Sequence, residues 1–182
     1  MKHNFTTKEE IVEKCLVLVQ NQGWQSINIR KLAEECNVST GTLYNYFDSK
    51  TSLLTEVVES IWNDIFDDKQ QFDDILAYVD WIFSRIKYGN ERYSGFFCYH
   101  SSLFSEAEKC EAKNMMCGMW RKFRTDLVEV LRKDKRYDLF SKQDKAGIEK
   151  IINIIHSMIL ASIVKQDYDP ELTKYTIIKI LH

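Results

Sequence analysis

Proline is almost missing from this chain and glycine is scarce: one proline and six glycines occur among 182 residues. Turns and sheet edges lean on both residue types, so a many-stranded fold has little punctuation to draw on, and helices are favoured. An excess of charge of one sign is missing too. The 25 basic and 27 acidic residues leave a formal net charge of -2, so no global basic footprint advertises nucleic acid. The balance holds within the first 50 residues, where Lys2, Lys8, Lys14, Arg30, Lys31 and Lys50 are matched by Glu9, Glu10, Glu13, Glu34, Glu35 and Asp48. Any contact with nucleic acid must come from a few locally placed cations and helix N-termini, which is enough to hold phosphate.

Metal-ligand and catalytic patterns are also lacking. Cys15, Cys36, Cys98, Cys110 and Cys117 form no C-x-x-C pair, and an odd number of cysteines reads as reduced thiols in a cytoplasm. Cys98 and His100 are two apart, which a helix splays onto different faces. Cys110 and Cys117 share a face but stand about 10 Å apart by helical rise. Neither pair has zinc-ligand spacing, so neither a metal nor a cofactor is expected. No nucleophile elbow, phosphate loop, H-E-x-x-H or paired-carboxylate pattern is present, and an enzyme is not expected. The stretch Met1-Lys-His-Asn-Phe-Thr-Thr lacks the apolar core of a signal peptide. No apolar run approaches the ~18 residues of a membrane span, so a soluble, cytoplasmic protein without a membrane partner is expected.

What is present is helical periodicity with capping residues at its boundaries. Thr6 and Thr7 precede Glu9 and Glu10 by three residues, so either can open a capping box. Ile11, Val12, Cys15, Leu16, Leu18 and Val19 make a wide apolar stripe, which Gly23 ends. Trp24 and Ile27 read as plugs under the next loop. Asn28 caps a short second helix, Ile29 to Cys36, whose inner face is Ile29, Leu32 and Ala33. Asn37 takes a left-handed turn, Val38 anchors it and Ser39 caps the following stretch. There Leu43 and Phe47, four apart, share a buried seam, and Thr40, Thr42, Tyr44, Asn45 and Tyr46 remain on the exposed side. Hydroxyls and amides so placed can bond base edges and phosphates in a major groove. A long helix, a short helix, a tight turn and another short helix make a helix-turn-helix.

The run Asn28-Ile-Arg-Lys-Leu-Ala-Glu-Glu-Cys-Asn-Val-Ser-Thr-Gly-Thr-Leu-Tyr-Asn-Tyr-Phe-Asp-Ser-Lys50 resembles the DNA-binding signature of the tetracycline-repressor (TetR) family. The likeness covers roughly residues 8–60, and its Gly-Thr-Leu-Tyr-x-Tyr-Phe-x-Ser-Lys core is specific. It implies that Ser39, Thr40, Gly41, Thr42, Tyr44 and Tyr46 form the DNA-binding face. Gly41 would let the backbone come close. Arg30 is implied on a phosphate or base edge, and Lys50 at an anion site with the N-terminus of the next helix. Asn45 occupies a position that varies in the family, and Thr51-Ser52 replaces the acidic pair often found after the lysine.

After Lys50, Leu53, Leu54, Val57, Val58, Ile61, Trp62 and Ile65 continue a helical stripe. A helix from about Phe72 to Tyr88 follows, with Ile75, Val79, Ile82, Phe83 and Ile86 inward, Tyr78, Trp81 and Arg85 flanking, and Gly89-Asn90 as its stop. Aromatic and methionine side chains then cluster from Tyr93 through a long helix, Ser105 to Lys135. Such a stripe serves as core or lines an apolar cavity. The resemblance implies the cavity, since relatives bind small molecules in this helical body; candidate liners are Trp81, Phe97, His100, Met119, Trp120, Phe123 and His156. Ser141 with Asp144 can cap a helix running to about Gln166 that is apolar round most of its circumference. Asp169-Pro170 opens a last helix with Leu172, Tyr175, Ile178 and Leu181 on one face.

A partner subunit is the economical cover for so much apolar surface. The expected dimerisation residues are Ile148, Ile152, Ile155, Ile159, Leu172, Tyr175 and Ile178, packed as a four-helix interface. The expected fold is all-α: an N-terminal three-helix helix-turn-helix DNA-binding domain, residues 1–50, joined by a continuous helix to a larger ligand-binding and dimerisation domain, residues 51–182. The implied function is a ligand-responsive repressor. It would bind a palindromic operator in double-stranded DNA as a homodimer and leave it when a small-molecule effector binds. A protein-interaction module that keeps the fold without reading DNA is the alternative, supported by the near-neutral N-terminal third.

Overall fold

The computed structural model describes residues 7–66, 70–99, 109–137 and 147–181; for residues 109–117 and 119 it describes the backbone alone. Among the described residues every regular element is helical. In chain order they are α1 (Lys8–Gln22), a 3-10 turn (Trp24–Ser26), α2 (Ile29–Glu35), α3 (Thr40–Leu43), α4 (Lys50–Phe66) and α5 (Ile75–Arg92). Then come α6 (Phe96–Tyr99), α7 (Lys109–Lys133), α8 (Gly147–Lys165) and α9 (Glu171–Leu181). The chain divides into two compact units, Met1–Asp67 with Tyr88–Ala112 and Asp68–Lys87 with Lys113–His182. Compactness therefore groups α4 with the helices before it, whereas the expected boundary stood at residue 50.

In the first unit the capping signals act where the sequence places them. Thr7 Oγ1 accepts from the Glu10 N–H at 3.2 Å and Glu10 Oε2 accepts from the Thr7 N–H at 3.0 Å, a reciprocal cap for α1. Gly23, at φ +78°, ends that helix and donates its N–H to Val19 O at 2.8 Å. Trp24 is fully buried, its indole edge-on to Phe96 at 5.3 Å, and Phe96 in turn meets Trp62 at 5.6 Å. Along α4, Leu53, Leu54, Val57, Val58, Ile61, Trp62 and Ile65 are all within 2 % of complete burial, as their spacing predicts. A polar cluster joins three helices. Asp64 Oδ2 of α4 accepts from the hydroxyls of Tyr88 at 3.0 Å and Tyr93 at 2.9 Å. Arg92 Nε lies 3.2 Å from the same oxygen, and Gln20 of α1 donates to the Tyr93 hydroxyl at 3.3 Å.

The second unit is anchored at the start of α5. Asp74 Oδ1 accepts from the N–H groups of Leu76 at 2.7 Å and Ala77 at 3.0 Å, and the buried Asp134 accepts from the Ile75 N–H at 2.8 Å. Arg136 Nη2 bridges the two carboxylates at 2.6 and 2.7 Å. Burial alone would push the Asp134 carboxyl up, but hydrogen bonds from Arg136 and from the Ile75 and Arg136 backbone outweigh it and hold it below the usual range. Asp169 Oδ1 caps α9 by accepting from the Glu171 N–H at 2.9 Å, as expected of Asp169-Pro170. The expected cap Ser141 with Asp144 lies outside the described residues. At the end of α8, Gln166 adopts φ +54° where glycine is usual, and Asp167 N–H reaches Ser162 O at 3.0 Å.

Four expectations need correction. Gly89-Asn90 does not stop α5, which runs on to Arg92. A Cβ on Gly89 would stand 2.5 Å from Ile65 Cδ1 and 3.1 Å from a ring carbon of Phe97, so this glycine serves close packing between helices. Tyr78, expected on a flanking face, is 2 % exposed, and burial with the nearby Asp126 charge pushes its phenol pKa up. Ile152, Ile155 and Ile159 are buried inside the chain's own core and Ile148 is half-buried beside them, so this side of α8 is core rather than the expected dimer face. Finally, α8 is apolar enough by length and mean hydropathy, 1.5, to cross a membrane, although no uninterrupted run suggested it. A core helix meets the same test, and Ile151, Ile152, Ile155 and Ile159 are used that way here.

Replacing Gly89 by alanine is expected to destabilise the protein by about 1–2 kcal/mol, overpacking against Ile65 outweighing the gain of about 1 kcal/mol in helix propensity. A urea-unfolding midpoint equal to or above that of the parent protein would contradict the packing role.

Candidate nucleic-acid interface

The helix-turn-helix is built by local hydrogen bonds. Asn28 Oδ1 accepts from the Arg30 N–H at 2.9 Å and starts α2 with Arg30 on its exposed first turn. Asn37 takes φ +55°, with its N–H on Glu34 O and the Val38 N–H on Ala33 O, both at 2.9 Å. This pair of bonds closes the turn expected of Asn37. Ser39 Oγ then accepts from the Thr42 N–H at 3.1 Å and lies 2.9 Å from Thr42 Oγ1. The recognition segment is shorter than a regular helix: α3 spans Thr40–Leu43, and Asn45 and Tyr46 continue through i to i−3 bonds to Thr42 O and Leu43 O. Leu43 and Phe47 are 1 % and 2 % exposed, which fixes the segment's inner side as expected.

A recess of about 430 Å³ opens on the outer side, lined by Ile27, Asn28, Ile29, Arg30, Thr40, Tyr44 and Lys50. It gathers four expected contact residues, Arg30, Thr40, Tyr44 and Lys50, from the starts of α2, α3 and α4 and the turn after α3. Ile29, expected to face inward, is half-buried and forms part of the wall with Ile27. Lys8 is committed to an ion pair with Glu56 and sits 5.3 Å over the Phe47 ring, and Lys31 Nζ donates to Gln22. Arg30 and Lys50 engage no carboxylate among the described residues, which leaves their charge for a phosphate. Ser49 Oγ accepts from the Ser52 N–H at 3.1 Å, so it is Ser49 that caps α4 and sets Lys50 on its first turn.

The other expected residues divide. Ser39 and Thr42 direct their hydroxyls to each other and to the backbone, which makes them builders of the turn. Tyr46 is half-buried, whereas Tyr44 is 49 % exposed. Gly41 is exposed, and a Cβ there would meet only Ser39 Oγ at an ordinary 3.6 Å. Among the described residues nothing requires glycine at this position.

The candidate effector residues fall in both compact units. Phe97 belongs to the first unit, against Trp62 at 5.6 Å. Trp81, in the second unit, packs on Tyr78 at 5.7 Å and Phe72 at 5.5 Å. Trp120 meets His156 edge-on at 5.0 Å and Phe123 at 5.6 Å, Phe123 being almost fully buried. Burial, helped by the Arg124 charge, pushes the His156 pKa down, so the imidazole is neutral at pH 7, and its Nε2 finds no hydrogen-bond partner among the described residues. His100 and the Met119 side chain lie outside the described residues. A cavity of about 100 Å³ in this unit is lined by Phe83, Met158, Ser162, Lys165, Asp169, Leu172 and their neighbours, and by none of these candidates.

Fold and motif together define an all-helical helix-turn-helix protein. Residues 16–57 match the family of bacterial regulatory proteins described as the tetR family. One curated relative is the uncharacterized HTH-type transcriptional regulator YuxN of Bacillus subtilis (strain 168). It is 34 % identical over 56 residues, 31 % of this chain and 19 % of the relative. Another is the HTH-type transcriptional repressor KstR of Rhodococcus jostii (strain RHA1), 35 % identical over 51 residues, 28 % of this chain and 24 % of the relative. The aligned segment thus spans a quarter or less of these two relatives. Over most of its length the chain has the fold of a transcriptional regulator from Rhodococcus sp. Rha1 (TM-score 0.63, 12 % identity, covering 92 % of this chain and 87 % of that one). It also has the fold of BioQ, solved with its double-stranded DNA operator (TM-score 0.57, 15 % identity, covering 97 % and 96 %).

Because no packing among the described residues needs Gly41, Gly41→Ala is expected to leave the thermal midpoint equal or slightly higher. Its affinity for duplex DNA should fall at least about fivefold, roughly 1 kcal/mol for a backbone held away from its ligand. Equal DNA affinity in the two proteins would remove Gly41 from the interface.

Proposed function

We propose that this protein is a homodimeric transcriptional repressor, acting in the cytoplasm, that binds a palindromic operator through its helix-turn-helix and is released by a small molecule bound in its helical body. The observation that carries the DNA-binding part is the recess, where Arg30 and Lys50 stand with Thr40 and the exposed Tyr44 on one outer surface. Two uncompensated cations beside hydroxyl donors and the N-terminus of the 17-residue helix α4 suit a backbone phosphate. Repression is supported by relatives named as repressors, including KstR.

Dimerisation is supported by apolar side chains left in solvent. Leu160 and Val164 of α8 and Leu172 and Tyr175 of α9 are 37 %, 80 %, 69 % and 60 % exposed. Leu160 and Val164 lie about a third of a turn round α8 from Ile152, Ile155 and Ile159. On this reading the dimer face is about a third of a turn from the isoleucines first expected there and keeps Leu172 and Tyr175 in it. A two-fold axis would set the two recognition segments about 34 Å apart, one turn of B-DNA. For the effector, Trp120 beside the neutral His156 offers an apolar wall with one polar atom unpartnered among the described residues, the combination of a small-molecule site. Occupation would favour protomer arrangements that no longer fit the operator.

A second reading, an interaction module that does not bind DNA, draws on the even charge balance of the first 50 residues. A salt titration with random-sequence duplex DNA separates the two. Repressor-like binding weakens steeply with salt, Lys50→Ala lowers the slope of log affinity against log salt by about one, and Tyr44→Ala weakens binding with the oligomer intact. Salt-independent or undetectable binding of the parent protein would favour the interaction module. For assembly, Val164→Asp is expected to halve the mass seen by sedimentation equilibrium at micromolar concentration while the helical circular-dichroism signal is kept. An unchanged mass would move the interface elsewhere.

A further inference from the structure

We infer that Asn45 is the residue through which this protein recognises one particular base, an adenine, in each half of its operator; this rests on the DNA-binding reading above. The polar groups of the recognition segment are few, and most are already assigned. Ser39 and Thr42 bond each other and the start of α3, at 2.9 and 3.1 Å. Thr40 and Tyr44 line the recess with Arg30 and Lys50, where charge favours a phosphate, which carries no sequence information. Tyr46 is half-buried and already engaged.

Asn45 is the group left. It is exposed, its side-chain amide is held by no other group among the described residues, and it is not part of the recess. It sits two residues after Leu43 and two before Phe47, the buried pair, so it projects from the side of the segment facing away from the protein. Its backbone N–H bonds Thr42 O at 3.1 Å, which fixes where the side chain starts. A carboxamide presents one donor and one acceptor in a plane. That pair matches the N6 donor and N7 acceptor of adenine in the major groove and no other single base edge there.

The test selects duplexes from a pool with 20 or so randomised base pairs (about two helical turns), using the full chain and its Asn45→Ala variant in parallel. The parent protein is expected to enrich an adenine at one position of each half-site. Asn45→Ala should bind that enriched duplex about tenfold more weakly, lose discrimination at that position alone and keep the same salt slope, since no phosphate contact is removed. Circular dichroism of the variant should match that of the parent. Enrichment of the same base at every position by both proteins overturns the assignment, and loss of discrimination at a position other than adenine overturns the choice of base. A parent protein that enriches no sequence and shows no salt-dependent binding overturns the DNA-binding reading itself.

Discussion

The recognition segment hangs on two side chains. With α3 only four residues long, hydrogen bonding within it cannot hold it in place, because nucleating a single helical turn is unfavourable. Burial of Leu43 and Phe47 does so instead, each worth about 1.5–3 kcal/mol if fully removed from water. The rest of the first unit supplies the surface they are buried against. α1 is fixed at both ends, by the Thr7–Glu10 cap and by Gly23, and its Lys8 covers the Phe47 ring while pairing with Glu56 of α4. A segment so short can present few side chains, which is why the identity of each exposed one matters.

Farther along α4, Asp64 ties the same unit together with polar bonds. Its one oxygen collects two tyrosine hydroxyls and a guanidinium from the end of α5, and Tyr93 passes the chain of bonds on to Gln20 of α1. Burial and the Asp64 carboxylate both push the Tyr88 pKa up. For Tyr93 burial raises it too, against hydrogen bonds from Arg92 and Gln20 that lower it, so both phenols stay protonated donors. The bonds can therefore hold at any physiological pH. Helices α1, α4 and the end of α5 are thus held as one body beneath the helix-turn-helix.

Much of this was legible in the sequence because it is local. Capping residues act within three positions, so Thr7, Asn28, Asn37 and Asp169 could be read without knowing what surrounds them. The buried stripes of α4 and α5 followed from periodicity. The failures share one cause: they turn on which neighbour covers a face. Gly89 looks like a helix stop unless Ile65 and Phe97 are seen against it. The isoleucines of α8 go nearly round the helix, so periodicity could not say which side the protomer keeps for its own core. The recess, likewise, joins residues from positions 27 to 50, and only folding shows that Arg30 and Lys50 open on the same surface while Ser39 and Thr42 turn toward each other.

Two glycines show how structure separates residues kept for folding from residues free for function. Gly89 and Gly41 both sit within helices, where glycine costs about 1 kcal/mol relative to alanine. At Gly89 a Cβ would be driven into Ile65 and Phe97, so the protomer itself accounts for the cost. At Gly41 the backbone has ordinary angles and a Cβ would meet ordinary contact, so no packing among the described residues needs glycine there. A cost with no return among the described residues has to be explained by something beyond them. The position, about one turn before Tyr44 on the exposed side of α3, is where a close approach by another molecule would make glycine necessary. By the same logic the Asn45 side chain, which serves no bond among the described residues, is free to serve one beyond them.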